Sequence, residues 1–295
     1  MLIHEAGSAT GLTKKAIHYY TDQGLISPAV SENGYRDYSE EDIARLRQIY
    51  ILRKLGLSTD EIKTVLSDET GDALQMISLR RELSLQREEA KKALLDKWRC
   101  GESYESIRSE LLAVENSETI TEKLLEAFPG YYGRFICLHF ARFLNEPVHT
   151  ARQQAAFETI LSFLDNMPPL SLPADVQAYL TEGTRDISTE QMTAMMEQSK
   201  KSIENPEEFL SKNREALAEY LAFKQSDAYR HSPAYKAMTY LQQFHQASGY
   251  NDVFIPALKE LSPSYAAYYE QLETANEKLL AQYPAIAQLD ANPEV

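Results

Sequence analysis

Residues 11–39 read GLTKKAIHYYTDQGLISPAVSENGYRDYS, and this stretch decides the fold. Thr13 is placed to cap a helix over residues 14–23, because its hydroxyl can accept from the free amides of a first turn. Gly24 stops that helix, as a left-handed C-terminal residue often does. Upstream, Ile3–Thr10 is a short helix broken by Gly11, so helix, tight turn and helix have helix-turn-helix proportions. Downstream, Asn33-Gly34 signals a hairpin, since both turn positions tolerate positive φ. Strand alternation puts Tyr35 and Asp37 on one face, Arg36 and Tyr38 on the other. A hairpin directly after a helix-turn-helix is a wing.

Two capping boxes follow the wing. Ser39 with Asp42 opens a helix to about Leu55, which Gly56 ends, and Ser58 with Glu61 opens another over 59–66. From about Asp72 to Arg99 there is no Pro or Gly, and Leu, Glu, Lys and Arg dominate. Alternating steps of three and four pick out Met76, Leu79, Leu83, Gln86, Ala90 and Ala93, with Leu94 and Trp98 beside them. That pattern suits a coiled-coil helix. Met76, Leu79, Leu83, Ala90 and Leu94 are therefore the expected dimer contacts. The alternative is a long surface helix packed on its own chain.

Beyond Gly101 the chain reads as helical throughout, punctuated by Pro129, Pro147, Pro168-Pro169, Pro173, Pro206, Pro233, Pro256, Pro263 and Pro284. Helices are expected over 103–115, 118–128, 131–144, 149–166, 188–203, 206–226, 233–247 and 263–282, with an internal linker at 168–175. The expected class is mostly α. It comprises a winged helix-turn-helix head (1–70), a coiled-coil dimerisation helix (71–101) and an all-helical effector domain (102–295).

Charge is distributed unevenly. Of the chain's 30 Lys and Arg and 44 Asp and Glu, residues 1–66 carry 8 and 9, leaving 22 against 35 for the rest. The acidic remainder repels nucleic acid, so any contact with DNA belongs to the near-neutral N-terminal part. No apolar run approaches the roughly 20 residues of a membrane span, and the N-terminus lacks the basic and apolar regions of a signal peptide. The expectation is a cytoplasmic protein with no membrane partner. Cys100 and Cys137 alone do not make a disulfide framework, and two thiols are too few for a soft-metal site. Neither a cofactor nor a metal is expected. No nucleophile elbow, phosphate loop or paired-His motif supports an enzyme.

In order along the chain stand Gly11-Leu12-Thr13, Ile17-His18-Tyr19-Tyr20, Gly24-Leu25-Ile26, Gly34-Tyr35-Arg36-Asp37-Tyr38-Ser39 and Leu52-Arg53-Lys54-Leu55-Gly56-Leu57-Ser58. This ordered set, from Ile3 to about Leu66, resembles the MerR family of transcription regulators. The resemblance implies a homodimer joined by an antiparallel coiled coil, with each recognition helix in a major groove and the wings on flanking backbone. It also implies an over-long promoter spacer distorted so that RNA polymerase engages both elements. The DNA-contact residues expected are Thr13, Lys14, Lys15, His18, Tyr19, Tyr20, Arg36, Tyr38 and Lys54. One of Tyr19 and Tyr20 is expected to pack in the core, and Arg36 has a solvated wing charge as its alternative. The family usually has Arg at His18 and often at Lys15, and other small residues at His4 and Gly7. A mostly neutral His weakens one ionic phosphate contact.

Aromatic residues crowd two stretches of the effector part. Phe128, Tyr131, Tyr132 and Phe135 stand in one, and Tyr240, Phe244, Tyr265, Tyr268 and Tyr269 in the other. They are candidates for a pocket taking a flat or hydrophobic effector, with Glu126, Glu158 or Glu270 as complements to a cationic one. The alternative is an ordinary helical core with tyrosines at its edges. By analogy, the TipA-like members of the family carry all-helical domains that bind drugs and antibiotics. Two functions remain open at this level: a ligand-responsive activator, or a drug-sequestering protein whose DNA head regulates its own expression.

Overall fold

The computed structural model describes residues 1–31, 34–68, 70–128, 130–168 and 170–286. Its chain divides into two compact units, Met1–Ile77 and Ser78 onward, with the division inside one long helix.

The first unit holds α1 (Ile3–Thr10), α2 (Lys14–Asp22), β1 (Ala29–Val30), β2 (Arg36–Asp37), α3 (Glu40–Lys54) and α4 (Thr59–Ser67). Local chemistry sets each boundary. The Thr13 hydroxyl accepts from the Ala16 amide at 3.2 Å. Ser39 with Asp42, and Ser58 with Glu61, form reciprocal capping boxes at the starts of α3 and α4. The strands pair antiparallel, Ala29 with Asp37 and Val30 with Arg36. Gly34, at φ +80°, takes a positive-φ place in the turn, and Asn33 lies outside the described residues. Ile17 and Tyr20 of α2 meet Leu46 and Ile49 of α3, Ile62 of α4 and Ile77 in one buried core.

The second unit begins within α5 (Asp72–Arg99), which turns back at Gly101 into α6 (Tyr104–Ala127). Arg80 to Glu122 (3.0 Å), Arg87 to Glu118 (3.3 Å) and Lys97 to Glu110 (2.5 Å) lace the two, and the falling partner numbers make them antiparallel. There follow α7 (Gly130–Ala141), α8 (Ala151–Asn166), α9 (Ala174–Thr184), α10 (Thr189–Glu204), α11 (Pro206–Lys212), α12 (Arg214–Gln225), α13 (Asp227–Arg230) and α14 (Pro233–Ser248). A π-helical turn (Tyr250–Phe254) then leads into α15 (Ile255–Leu261) and α16 (Pro263–Gln282). Packing of α6 on α7 and α8, and of α15 on α8, buries Ile120, Leu124, Phe128, Ile160 and Leu258. No described helix is long and apolar enough to cross a membrane.

The helix boundaries differ from expectation in four places. Residues 103–115 and 118–128 form one helix, because Ala113, Ser117, Ile120 and Leu124 carry one inward stripe across the expected break. The span 206–226 instead breaks at Asn213. Helices also occupy most of 174–187, entered through Pro173, and of 250–261, where Pro256 stands in the first turn of α15. Pro173 precedes the first turn of α9 and so costs no helical hydrogen bond, whereas Pro256 follows the π-helical turn, where Ile255 still donates to the Tyr250 carbonyl. Pro129 and Pro169 lie outside the described residues.

Candidate nucleic-acid interface and ligand cavity

In the first unit, α2 buries Ile17 and Tyr20, three residues apart, and thereby turns Lys14, Lys15, His18 and Tyr19 to solvent. The Tyr19 hydroxyl lies 3.1 Å from Thr59 Oγ1, tying this face to the start of α4. Arg36 reaches from the wing onto the same helix, with Nη1 2.8 Å from His18 Nδ1 and Nη2 3.5 Å from Asp22 Oδ1. Lys14 and Lys15 thus stand exposed at the start of α2, and Arg36 of the wing meets the same helix further along, at His18 and Asp22. Lys54 stands at the end of α3, 5.6 Å over the Tyr50 ring. Thr13 serves as the N-cap.

Two expected contacts are relocated. Tyr20 is 6% exposed and Tyr38 1%, so both fill the core of the unit rather than face a duplex. Alternation correctly pairs Arg36 with Tyr38, but their shared face is the inward one. Tyr35, 65% exposed, takes the outer face. Sequence reading also missed Asp22, whose carboxylate holds Arg36 against α2.

The expected dimer stripe is largely occupied by the chain itself. Leu79, Leu83 and Leu94 are buried within a single chain, Met76 is half-buried, and Ala90 lines a groove of about 740 Å³ between α5, α6, α7 and α10. The large apolar side chains that α5 still presents are Leu74, Leu85, Leu95 and Trp98, with Leu85 and Leu95 the most exposed at 66% each.

A separate cavity of about 450 Å³ lies among α7, α10, α14, the π-helical turn and α16. Of the aromatic candidates, Tyr132, Phe135, Tyr265 and Tyr268 line it. Phe128 is fully buried and meets Tyr132 and Phe244 edge-on, whereas Tyr131 lies under Arg134 and Tyr269 under Lys259. Tyr240 is 40% exposed. No Asp or Glu lines the cavity, and Glu126, Glu158 and Glu270 are all on the surface. The charge beside it is that of Arg142, just past α7.

The polar residues of the cavity escaped sequence reading. Gly249, at φ +79°, releases α14 into the π-helical turn, and this lays Tyr250 flat on His245, with ring centroids 4.3 Å apart. Such turns recur at functional sites. His245 Nε2 lies 2.6 Å from the Tyr132 hydroxyl. His139 accepts at Nδ1 from Arg142 Nη2 at 3.3 Å, and Phe135, Phe140, Phe143 and Tyr268 pack around it. The spacing Phe135, His139, Arg142, Phe143 was the available signal, since it sets all four along one side of a helix.

Burial, with the Arg142 charge beside it, lowers the His139 pKa to about 4. The unfolded chain titrates its histidines near 6.5, so between these values only the unfolded state takes up the proton. Stability from this site is therefore complete above about pH 6.5 and falls as pH drops toward 4, by on the order of 3 kcal/mol. Burial lowers the pKa of His245 in the same direction. Thermal melts of the wild type are expected to fall more steeply below pH 6.5 than melts of His139→Gln. Parallel curves would refute the assignment.

Cys137 is buried, its thiol pushed up to about 12, and Cys100 is exposed. Among the described residues no three His, Cys, Asp or Glu gather as metal ligands.

Comparison with known proteins bears most directly on the first unit. The family described as "MerR HTH family regulatory protein" matches residues 1–69. The HTH-type transcriptional regulator HmrR of Rhizobium leguminosarum bv. viciae is 45% identical over 67 residues, 23% of this chain and 52% of that protein. The HTH-type transcriptional regulator CueR of Escherichia coli O157:H7 is 30% identical over 122 residues, 40% of this chain and 82% of that protein. The HTH-type transcriptional activator TipA of Streptomyces coelicolor is 37% identical over 71 residues, 24% of this chain and 28% of that protein. The chain thus spans about half the length of HmrR and less of TipA, whose similarity stops near the head. No solved structure matches.

Proposed function

The chain belongs to the MerR family of helix-turn-helix transcription regulators, and from that premise we propose that it is a ligand-responsive regulator that acts on promoter DNA as a homodimer. The observation that carries the reading is the exposure of Lys14 and Lys15 on the helix face bordered by Arg36 of the wing, in a unit that is near-neutral as a whole. α2 is the helix that enters the major groove. Lys14, Lys15, His18 and Tyr19 supply its phosphate and base-edge contacts, while the Tyr19–Thr59 bond fixes its tilt. Arg36, held by Asp22 and His18, presents the wing to flanking phosphate.

Pairing through α5 would place two heads on a two-fold axis, which matches a palindromic operator. Because Leu79, Leu83 and Leu94 are already covered, the seam falls on the exposed apolar residues of α5, Leu74, Leu85, Leu95 and Trp98. Distorting an over-long spacer for RNA polymerase costs about 1–10 kcal/mol, so a small effector-driven change in head spacing suffices to tip promoter output. The aromatic cavity is the effector site. The sequestration reading has no observation in its favour beyond that same cavity.

Operator binding by the full chain tests this. Each lysine that meets a phosphate contributes about 0.9 to the slope of log affinity against log salt. The double variant Lys14→Ala/Lys15→Ala is expected to weaken binding at all sequences and flatten that slope by about 2 or more per dimer, while melting as the wild type does. The wild-type complex should sediment with two chains. An unchanged slope, or one chain on a saturated operator, would refute the reading.

A further inference from the structure

The chemistry of the effector cavity selects for charge as well as shape. Building on the effector-site reading above, we infer that the cavity among α7, α10, α14 and α16 binds a planar aromatic anion, such as an aryl carboxylate, with Arg142 as its counter-ion.

Three observations converge on this. First, the guanidinium of Arg142 lies against two adjoining aromatic rings, 4.7 Å from the Phe143 centroid and 5.1 Å from that of Tyr268. Such cation–π contacts use none of its hydrogens. Second, its Nε and Nη1 are buried without a hydrogen-bond partner among the described residues. Glu197 approaches Nη1 only to 4.0 Å, and it lines the groove beneath α5, not this cavity. Buried donors left idle are costly, and an incoming carboxylate would satisfy them with charge-assisted bonds. Third, the lining offers no carboxylate to hold a cation. Its other polar groups are the two neutral imidazoles, the tyrosine hydroxyls, Ser199 and Gln242.

Shape completes the case. The parallel His245–Tyr250 and Phe135–His139 pairs, at interplanar angles of 12° and 13°, give the cavity flat walls. At the mouth Met195 and Met238 are 53% and 45% exposed, and flexible thioethers adapt to a range of aromatic outlines. A volume of 450 Å³ lies in the range of ordinary small-molecule sites. Arg142 and Met196 also line the groove beneath α5. Drawing the guanidinium toward a ligand therefore alters the wall on which the proposed dimer helix rests.

Calorimetric titration of the full chain with three isosteres tests the inference: 2-naphthoate, 2-naphthamide and 2-naphthylmethylammonium. In the wild type naphthoate is expected to bind at least tenfold more tightly than the amide, with the ammonium weakest. Arg142→Gln should bring naphthoate within twofold of the amide. Equal affinity for the three, preference for the ammonium, absence of naphthoate binding, or a preference retained in Arg142→Gln would each overturn it. The wild-type series decides the matter even where that variant melts early. Operator titration of the same samples separates the two claims. Naphthoate selectivity without any change in operator affinity leaves the anion site standing and removes the effector reading. A promoter response only to cations does the reverse.

Discussion

Tyr38→Ala is expected to abolish operator binding by unfolding the N-terminal unit, while Tyr38→Phe binds the operator as tightly as the wild type. Tyr38 is 1% exposed and sits in the same buried core as Ile17, Leu46 and Ile49. Its amide donates to the Met1 carbonyl at 2.8 Å, which fastens the end of the wing to the start of the chain. Truncating a buried aromatic to alanine costs about 3–5 kcal/mol. A unit of this size has little stability to spare, since small domains bury a smaller share of their surface. The phenylalanine variant isolates the hydroxyl. That group is buried with no hydrogen-bond partner among the described residues, so removing it relieves an unmet desolvation cost of about 1–3 kcal/mol. Melting of the full chain should therefore drop sharply for the alanine variant and hold or rise for the phenylalanine variant. Weakened operator binding by a stably folded Tyr38→Phe would restore the hydroxyl as a phosphate contact.

Gly133→Ala is expected to disrupt the second unit more than any other single-methyl change. A Cβ at Gly133 would lie 1.5 Å from the backbone oxygen of Phe128 and 2.6 Å from its carbonyl carbon. Backbone has no rotamer by which to escape, so α7 would have to shift away from Phe128. Phe128 is fully buried and meets Tyr132 and Phe244, so the shift would propagate into the aromatic core. Overpacking usually costs about 1–3 kcal/mol; a forced backbone displacement belongs above that range, at about 4 kcal/mol or more. Hydrogen exchange resolved along the full chain should show protection lost across α6, α7 and α14 and kept across α1–α4. Gly183→Ala makes the control, because its added methyl would meet nothing within 4 Å and glycine inside a helix is unfavourable. Equal melting of the two variants would contradict the close approach at Gly133.

The head was legible because its signals are local. Thr13, Ser39 and Ser58 cap the helices they were expected to cap, and Gly34 turns the wing, since each acts on amides within four residues of itself. On α2 the sequence placed one of Tyr19 and Tyr20 in the core, and the fold decided that it is Tyr20. Faces set by distant partners were not legible. Alternation placed Arg36 and Tyr38 together, but only the position of α2 and the core tells whether their side of the wing looks outward or inward.

The same division holds for the second unit. Its all-helical class and most of its helices follow from composition and capping, whereas the π-helical turn and the junction at Pro256 do not. A periodic stripe on α5 announces burial without naming the partner: Leu79, Leu83 and Leu94 found cover within their own chain. Tyrosines and phenylalanines advertised an aromatic region, yet the cavity's character comes from His139, Arg142, His245 and Tyr250. Sequence alone determined the family, the elements of the head and the helical class, because propensity, capping and period are short-range properties of the chain. Tertiary structure alone decided which tyrosines are core, which side of α5 remains apolar and free, and the sign of charge beside the cavity. Each of these depends on residues far apart in sequence whose desolvation and contacts exist only once the chain has folded.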